Sequence, residues 1–240
     1  MIEKKYLTSV IERYNLAHRN EQVKWRIKDN TLTVFFGEKG RVGMVKLKEF
    51  NFEDCELAIF NTHQFSKLLS VTSGTLILTA EKVKSIYTKL HIADANFELS
   101  YSLADILMIS KIPYYKDLDV YAIELDLDKE QVTNLVKAKN ALSDVETMLV
   151  NTSQNLDGTP VAEFIFGDNT GFSNKISYQI IGNVTKQDLS IPFDSTLFRD
   201  ILKVNSDFDT CKFKMSENGL IKLEFDNEHI YSEYFIARNE

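Results

Sequence analysis

The sequence predicts an α+β fold that consists of two similar domains, each with antiparallel sheets and two helices. Three observations lead to this prediction: an internal repeat, an alternation of apolar and polar residues typical of half-buried strands, and four helical segments with one apolar stripe each. The length of 240 residues suits two domains of about 120 residues, each large enough to bury its own core. Because hydrophobic residues make up 44% of the chain, we expect an ordered globular protein.

The internal repeat relates two stretches of the chain at a constant offset of 133 residues, without a gap. In each stretch a strand-like run precedes a short helical segment, and further strand-like runs follow it. The register superposes Phe65 on Phe198, residues 89–90 on residues 222–223, and residues 101–104 on residues 234–237. The repeat therefore predicts that one structural plan is used twice.

The repeat divides the chain into an N-terminal domain of residues 1–105, a connector of residues 106–120 and a C-terminal domain of residues 121–240. Apolar residues in the connector have no clean period, and Pro113 blocks a helix there. The connector is too apolar for a solvated flexible linker, so we expect it to be ordered and to lie against a sheet surface.

Strands of both domains are indicated by a period of two. Ile221, Leu223 and Phe225 alternate with Lys222 and Glu224, and this pattern predicts one buried face and one face in water. The same alternation recurs in residues 97–103 and 211–215. We therefore expect antiparallel sheets, with Lys222 on the wet face.

Four segments have apolar residues at helical spacing and a single apolar stripe, which indicates short helices that pack on a sheet. They cover residues 3–16, 62–71, 128–142 and 194–204, so that each domain has two. Only Met1 and Ile2 precede the first of them, and we therefore expect no strand before that helix.

The net charge of −7 argues against nucleic-acid binding unless the charges are unevenly distributed. The four predicted helices carry nine basic and six acidic residues, so the positive excess lies on them. The basic residues that helical geometry places away from the apolar stripes are Lys5, Arg13, Lys67, Lys137, Arg199 and Lys203. They are either ordinary solvated lysines and arginines or, if the helices line one surface, a weakly attractive face for phosphates that does not read sequence.

No catalytic constellation is visible in the sequence. His18, His63, His91 and His229 are scattered, and no phosphate-binding glycine motif or nucleophile elbow occurs. A turn that contains Asp168 and Asn169 leaves calcium binding open as a minor alternative. We expect a protein that is not an enzyme and that holds no metal and no cofactor.

The cellular setting is indicated by two further features. Cys55 and Cys211 both lie in apolar strand-like runs, which predicts reduced core thiols and no disulfide. No apolar stretch is long enough to span a membrane, so we expect a cytoplasmic protein without a membrane partner, in the host cytoplasm if the source is viral.

Three stretches of the chain resemble the DNA sliding clamps, the processivity factors of DNA polymerases. They are residues 5–15, residues 52–69 and residues 219–237. The likeness is closest to the clamps of tailed bacteriophages and more distant to the PCNA-type clamps, and the missing strand before the first helix favours the phage type. It is carried by apolar spacing more than by identity.

The resemblance implies a homotrimeric ring in which sheets form the outer wall and the helices face the centre. Such a ring would encircle double-stranded DNA without sequence preference, tether a DNA polymerase, and be loaded by a clamp-loader ATPase. The residues implied to face DNA are Lys5, Arg13, Lys67, Lys137, Arg199 and Lys203. Which edge strands join the subunits stays open.

The resemblance also implies a pocket for partner peptides beside the connector and near the carboxyl end. The positions that match it are Ile112, Pro113 and Tyr114 in the connector, with Phe235 and Ala237 near the end. A core or sheet-edge role is the alternative for these residues. Two other functions remain open, a monomeric DNA-polymerase accessory subunit and a viral protein-binding scaffold of the same two-domain fold.

Overall fold

The computed structural model describes residues 1–113, 116–167 and 174–239. The chain divides into two compact units, one of Met1–Pro113 with Asn227–Ser232, the other of Tyr114–Asp226 with Glu233–Glu240. Within the described ranges each unit has two α-helices and antiparallel sheets. The predicted α+β fold class is confirmed.

The first unit begins with a strand and a helix, and a second helix separates its later strands. Its elements are β1 (Ile2–Glu3), α1 (Lys4–Asn15), β2 (Val23–Lys28), β3 (Thr31–Glu38), β4 (Arg41–Leu47), β5 (Cys55–Ile59), α2 (Thr62–Ser70), β6 (Thr75–Val83), β7 (Ile86–Ala93) and β8 (Glu98–Ser102). The strands pair in the orders β1-β6-β7-β8 and β5-β2-β3-β4. All of these pairings are antiparallel.

The second unit repeats this plan. Its elements are β9 (Ile123–Asp128), α3 (Lys129–Ala141), β10 (Thr147–Gln154), β11 (Pro160–Gly167), β12 (Lys175–Ile181), β13 (Asn183–Val184), β14 (Ser190–Asp194), α4 (Ser195–Val204), β15 (Thr210–Met215), β16 (Leu220–Asp226) and β17 (Ile230–Ala237), the last with residues 233–237 in this unit. The strands pair in the orders β13-β9-β15-β16-β17 and β14-β10-β11-β12. The offset of 133 residues also relates the first residues of α2 and α4, Thr62 and Ser195.

Each unit has an aromatic core around a phenylalanine of its second helix. Phe65 of α2 is fully buried, with ring centroids 5.5 Å from Trp25 and 4.9 Å from Tyr101. Phe198 of α4 lies 5.9 Å from Phe164 in the equivalent place. Edge-to-face and offset ring pairs of this kind add to the free energy gained from burying the rings. The two phenylalanines that the repeat superposes thus occupy matching positions in the two cores.

A short strand does precede α1, so the prediction that none would is wrong. Ile2 and Glu3 pair with Leu76 and Thr75 of β6, and the amide of Lys4 continues the ladder to the carbonyl of Gly74 at 2.9 Å. A strand of two residues is too short to show any alternation in the sequence. The argument from a missing strand to the phage clamps therefore loses its basis.

Side-chain caps explain where three of the four described helices, α2, α3 and α4, begin. The carboxylate of Asp128 accepts from the amide of Gln131 at 2.8 Å, and the Gln131 side chain accepts from the Asp128 amide at 3.0 Å. This capping box satisfies backbone groups that the first turn leaves unpaired. Asp194 caps α4 and Asn61 caps α2 through single bonds of 2.8 Å. In the part of the chain that the structure describes, no helix is long and apolar enough to cross a membrane.

The connector begins with a short 3-10 helix, Ile106–Met108, which the side chain of Asp105 caps. Leu107 is 88% exposed and Met108 is also exposed, so the expectation that the connector lies against a sheet is wrong for these residues. A 3-10 turn of three residues can bury only part of its surface, and Ile109 is the side chain that packs inward.

The capping box gives a first prediction. We expect Asp128→Ala to lower the free energy of unfolding by about 1 kcal/mol, because the first turn of α3 loses its acceptor. The control is Asp126→Ala, two residues earlier on β9, where the side chain is exposed and caps no helix. Urea unfolding followed by circular dichroism measures both variants, and equal midpoints for the two would contradict the assignment.

Candidate nucleic-acid interface and partner site

The helices of the first unit present two of the predicted basic residues to solvent. Lys5 of α1 and Lys67 of α2 are exposed, and the two helices pack against each other. Arg13 is only 1% exposed, so the prediction that it faces solvent is wrong. Its guanidinium donates to the carbonyl oxygen and to the hydroxyl of Ser9, one turn earlier. The buried side of α1 is wide at this end, since Tyr14 and Asn15 are buried as well.

The helices of the second unit expose Lys137 on α3 and Lys203 on α4. Arg199 is partly exposed and is paired with the neighbouring carboxylate, with its Nε 3.0 Å from Oδ1 of Asp200. Because Asp200 is itself buried, this pair cancels most of the positive charge that Arg199 would present. Lys137 and Lys203 are left as the predicted residues of this unit with an exposed ammonium group.

Lys139 shows why the number of charges on a helix does not give the charge that the helix exposes to solvent. Its side chain is buried, and its Nζ donates to the carbonyl oxygen of Ser143 at 2.7 Å, just beyond the end of α3. Burial lowers the pKa of Lys139, and the nearby charge of Arg199 lowers it further. This lysine closes the carboxyl end of a helix and is not available to a ligand.

The exposed charge on the four helices is nevertheless positive. Five exposed lysines stand against two exposed glutamates: Lys5, Lys67, Lys129, Lys137 and Lys203 against Glu12 and Glu130. The excess is small, and it sits in a chain whose net charge is −7. Helices with so small an excess of positive charge attract phosphates weakly, and lysine side chains alone do not read bases.

A second charged cluster lies on the sheet face of the second unit that points away from its core. Lys222 of β16 is only 4% exposed, so the prediction that it lies on a wet face is wrong. Its Nζ is 2.6 Å from Oδ2 of Asp117, 3.1 Å from Oε1 of Glu224 and 3.6 Å from Oε2 of Glu233. The alternation along β16 was interpreted correctly, but the connector residue Asp117 covers this lysine.

Hydrogen bonds fix the charge state of this cluster. Burial disfavours the charged form of Asp117, but hydrogen bonds from Lys222 and from the Tyr121 hydroxyl outweigh it, so the pKa of Asp117 is lowered. Burial also disfavours the charged form of Lys222, yet its bonds to Asp117 and Glu224 and the charges around it raise its pKa. Both groups are therefore ionised at neutral pH.

The cluster continues across the sheet through Lys214 of β15, which is directly opposite Lys222 in the register. Its Nζ lies 3.7 Å from a carboxylate oxygen of Glu124 on β9 and 3.9 Å from one of Glu224. Charges of alternating sign thus run across three neighbouring strands. Isolated pairs of this exposure contribute little to stability, so the buried member, Lys222, is the one that matters structurally.

The residues predicted for a partner pocket differ in exposure. Phe235 is 6% exposed and lies on the same face of β17 as the partly exposed Ala237. Ile112 is partly exposed and Pro113 is exposed. Tyr114 lies outside the described residues, as do Asp168 and Asn169 of the alternative calcium site. Sequence reasoning missed Asp117 and Lys222, because nothing in the pattern of either segment links them.

Two histidines come together that the sequence suggested were scattered. The rings of His18 and His63 meet edge to face with centroids 4.7 Å apart, because the chain beyond α1 returns to the start of α2. Glu21 lies 3.3 Å from Nδ1 of His18. In residues 1–113, 116–167 and 174–239, no group of three or more histidine, cysteine, aspartate or glutamate side chains is arranged to hold a metal ion.

The two cysteines differ in their surroundings. Cys211 is buried in the core, while Cys55 is partly exposed, so the prediction of a core thiol is wrong for Cys55. Burial raises the pKa of Cys55 to about 11, and it raises that of Cys211 as well. Neither thiol is activated as a nucleophile, since activation requires a lowered pKa.

Comparison with known proteins finds similar structures but no match by sequence. No protein-family model matches the sequence, and no curated protein matches it. The structure of Proliferating Cellular Nuclear Antigen from Entamoeba histolytica matches with a TM-score of 0.77 at 14% identity, over 99% of this chain and 96% of that one. The A. fulgidus PCNA bound to the C-terminal region of FEN-1 matches with a TM-score of 0.77 at 11% identity, over 100% and 97%. The chain therefore has the fold of the PCNA sliding clamps along its whole length.

Proposed function

We propose that this protein is a sliding clamp, a ring that encircles duplex DNA and tethers a DNA polymerase without catalysing a reaction. The observation that carries the proposal is the PCNA fold over the whole chain, with nearly complete coverage of both proteins. The exposed lysines on the helices supply the weak, sequence-independent attraction that a mobile clamp needs. A clamp-loader ATPase that opens the ring is part of the same proposal.

The edges of the sheets support assembly into a ring. In the described part of the chain, β8 pairs only with β7 and β12 pairs only with β11, so each of these strands has an open edge. The edges of β5 and β14 are partly covered, because the Ala104 amide donates to the Ala58 carbonyl and the Asn239 amide to the Pro192 carbonyl. Open edges invite pairing with another chain.

We infer that β8 of one copy pairs with β12 of the next. Such a contact uses two different surfaces of the chain, and contacts of this kind close into rings when the rotation allows it. Exposed apolar side chains lie at both edges, Phe97 just before β8 and Ile181 at the end of β12. The number of three subunits rests on the sequence resemblance to the clamps.

For DNA contact we propose Lys5, Lys67, Lys137 and Lys203, whose side chains are exposed on the helices. Arg199 contributes less because Asp200 compensates its charge. Arg13 is left out of the direct contacts because its guanidinium is buried. The resemblance to the phage clamps in particular remains a proposal that rests on residues 5–15, 52–69 and 219–237.

The ring proposal predicts the mass in solution. Light scattering is expected to give about three times 27.6 kDa, and Phe97→Glu or Ile181→Glu should reduce it to a single chain because a charge would be buried at the edge. The control is Leu156→Glu, a fully exposed turn residue, which should keep the mass of the parent. A parent mass of 27.6 kDa would instead favour the monomeric accessory subunit.

The DNA proposal predicts a position-dependent effect of charge. Reversing Lys67, Lys137 and Lys203 to glutamate should weaken binding to a 30-bp duplex at low salt at least tenfold and flatten its salt dependence. The matched control reverses the exposed Lys28, Lys39 and Lys212, which lie on strands or a turn and change the net charge equally. Fluorescence anisotropy measures the DNA affinity of both triple variants. An equal loss of affinity in the two would contradict the proposal that the helices contact DNA.

The partner-pocket proposal covers Ile112, Pro113, Tyr114, Phe235 and Ala237. Because the A. fulgidus PCNA structure contains the C-terminal region of FEN-1, a peptide of that region is a suitable probe. We expect Phe235→Ser to weaken its binding at least tenfold, about 1.4 kcal/mol, because an aromatic contact is lost. Ala237→Glu, at a partly exposed position, tests the same site with less risk to the core.

Calorimetry gives the affinity of each variant, and light scattering gives its mass. The mass must stay that of the parent, because a variant that no longer assembles would lose binding for another reason. Unchanged affinity in both variants, or no binding of the peptide to the parent, would remove these residues from the proposal.

A further inference from the structure

We propose that Lys222 and Asp117 form a charge-dependent latch that fixes residues 116–120 of the connector on the outer face of β16. The latch makes Lys222 a positioning residue for the connector and for Phe235 beside it. Only its role in partner binding rests on the proposed function, since the latch itself is a property of the second unit.

The burial of Lys222 requires the connector. The side chain of this lysine is 5% exposed, and a buried ammonium group without partners is strongly unfavourable. Glu224 and Glu233 belong to β16 and β17, whereas Asp117 comes from the connector. Asp117 also makes the shortest of the three contacts, 2.6 Å. The connector carboxylate thus completes the shell of charges around the lysine.

Both oxygens of Asp117 are used. Oδ2 accepts from Nζ of Lys222 at 2.6 Å, and Oδ1 accepts from the Tyr121 hydroxyl at 2.6 Å and from the Leu118 amide at 2.9 Å. A carboxylate held by three donors, one of them charged, is fixed in position and orientation. The Leu118 amide is therefore a direct reporter of the latch.

Apolar burial holds this segment only at its end, where Tyr121 is buried. Val120 is 77% exposed, and Leu118 is exposed as well, so the residues between Asp117 and Tyr121 bury little surface. Burial of apolar area is the usual force that holds a connector on a domain. Because that force acts at Tyr121 and is weak before it, the charges carry most of the attachment of residues 117–120.

The latch also touches a residue of the proposed partner site. Nζ of Lys222 lies 5.6 Å from the centroid of the Phe235 ring, within the range of a cation–π contact. Phe235 is buried on the same outer face. The position of the connector and the surroundings of Phe235 therefore depend on one side chain.

The groups that face Lys222 determine how the latch responds to pH. They are the carboxylates of Asp117, Glu224 and Glu233, with the Tyr121 hydroxyl on Asp117 and the Lys214 ammonium on Glu224.

The pKa of Asp117 is lowered, so its contribution to the stability of the latch is present above its ordinary pKa of about 3.9 and is lost as the pH falls through the lowered value. The pKa of Lys222 is raised, so its contribution is present below its ordinary pKa of about 10.4 and is lost as the pH rises through the raised value. Between about pH 5 and pH 9 the latch of the parent protein is therefore unaffected by pH.

Hydrogen exchange of the full chain tests the latch without DNA or a partner. In Lys222→Met, we expect exchange in the segment from Lys116 to Tyr121, including the Leu118 amide, to be at least tenfold faster than in the parent. Lys222→Arg keeps the charge and should restore most of the protection. The matched control is Lys212→Met, an exposed lysine on β15 opposite Glu224, which should leave this segment unchanged.

Two further measurements separate a latch from ordinary packing. As the pH falls through the lowered pKa of Asp117, with the intrinsic pH dependence of exchange removed, the parent should lose this protection and approach Lys222→Met, because a protonated carboxyl no longer pairs with the ammonium group. The double variant Asp117→Asn with Lys222→Met should exchange no faster than Lys222→Met alone, since both changes break the same bond. Equal protection in Lys222→Met and Lys212→Met, or protection in the parent that survives below the lowered pKa of Asp117, would overturn the latch.

The link to partner binding has its own readout. Lys222→Met should weaken binding of the peptide from the C-terminal region of FEN-1, while the mass of the variant in solution stays that of the parent. Faster exchange with unchanged affinity would overturn the positioning role of Lys222. Failure of the DNA or peptide assays with the parent protein would count against the proposed function and leave the exchange result standing.

Discussion

The two-sided character of its strands is the constraint on which the rest of this structure depends. Side chains along a strand alternate between two faces, and in each unit one face is covered by two short helices. The second helix of each unit is held there by a large aromatic side chain, Phe65 in the first unit and Phe198 in the second, and each is buried in contact with rings from the strands. Because each helix has a narrow apolar stripe, its opposite side is free to carry charge.

The same constraint explains how a fold can be shared at 11–14% identity. What the fold requires of β16 is apolar side chains at Ile221, Leu223 and Phe225, and many apolar residues satisfy that requirement. The order of elements and the positions of the caps add further conditions, none of which demands a particular residue except at turns and helix starts. A family model built on residue identities has little to match in such a chain, whereas the backbone still superposes along nearly all of its length.

Because the fold depends on apolar spacing more than on particular residues, its elements could be predicted from the sequence. The four helices and the repeat were predicted correctly, because periodicity and spacing are local properties that the printed sequence contains. The burial of Arg13, the strand β1 and the burial of Lys222 were not predicted, because each depends on contacts with a distant part of the chain. The wide buried end of α1 encloses Arg13, β6 supplies a partner for Ile2 and Glu3, and Asp117 reaches Lys222 across more than a hundred residues. The pairing of His18 with His63 likewise required the return of the chain from α1 to α2.

These departures matter for function, since they redistribute charge that sequence counting had assigned to one surface. The burial of Arg13 and Lys139 and the pairing of Arg199 with Asp200 remove three cations from the exposed helix surface. Five exposed lysines and two exposed glutamates remain. Each cation that contacts a phosphate releases counterions and strengthens attachment, so a surface with many of them would hold the protein at one place on DNA. The proposed ring would need no strong contact, because its closure would keep it on the DNA while weak contacts allow movement. The small positive charge that the helices expose agrees with that proposal, and in the proposed latch other buried charges, those around Lys222, hold the connector.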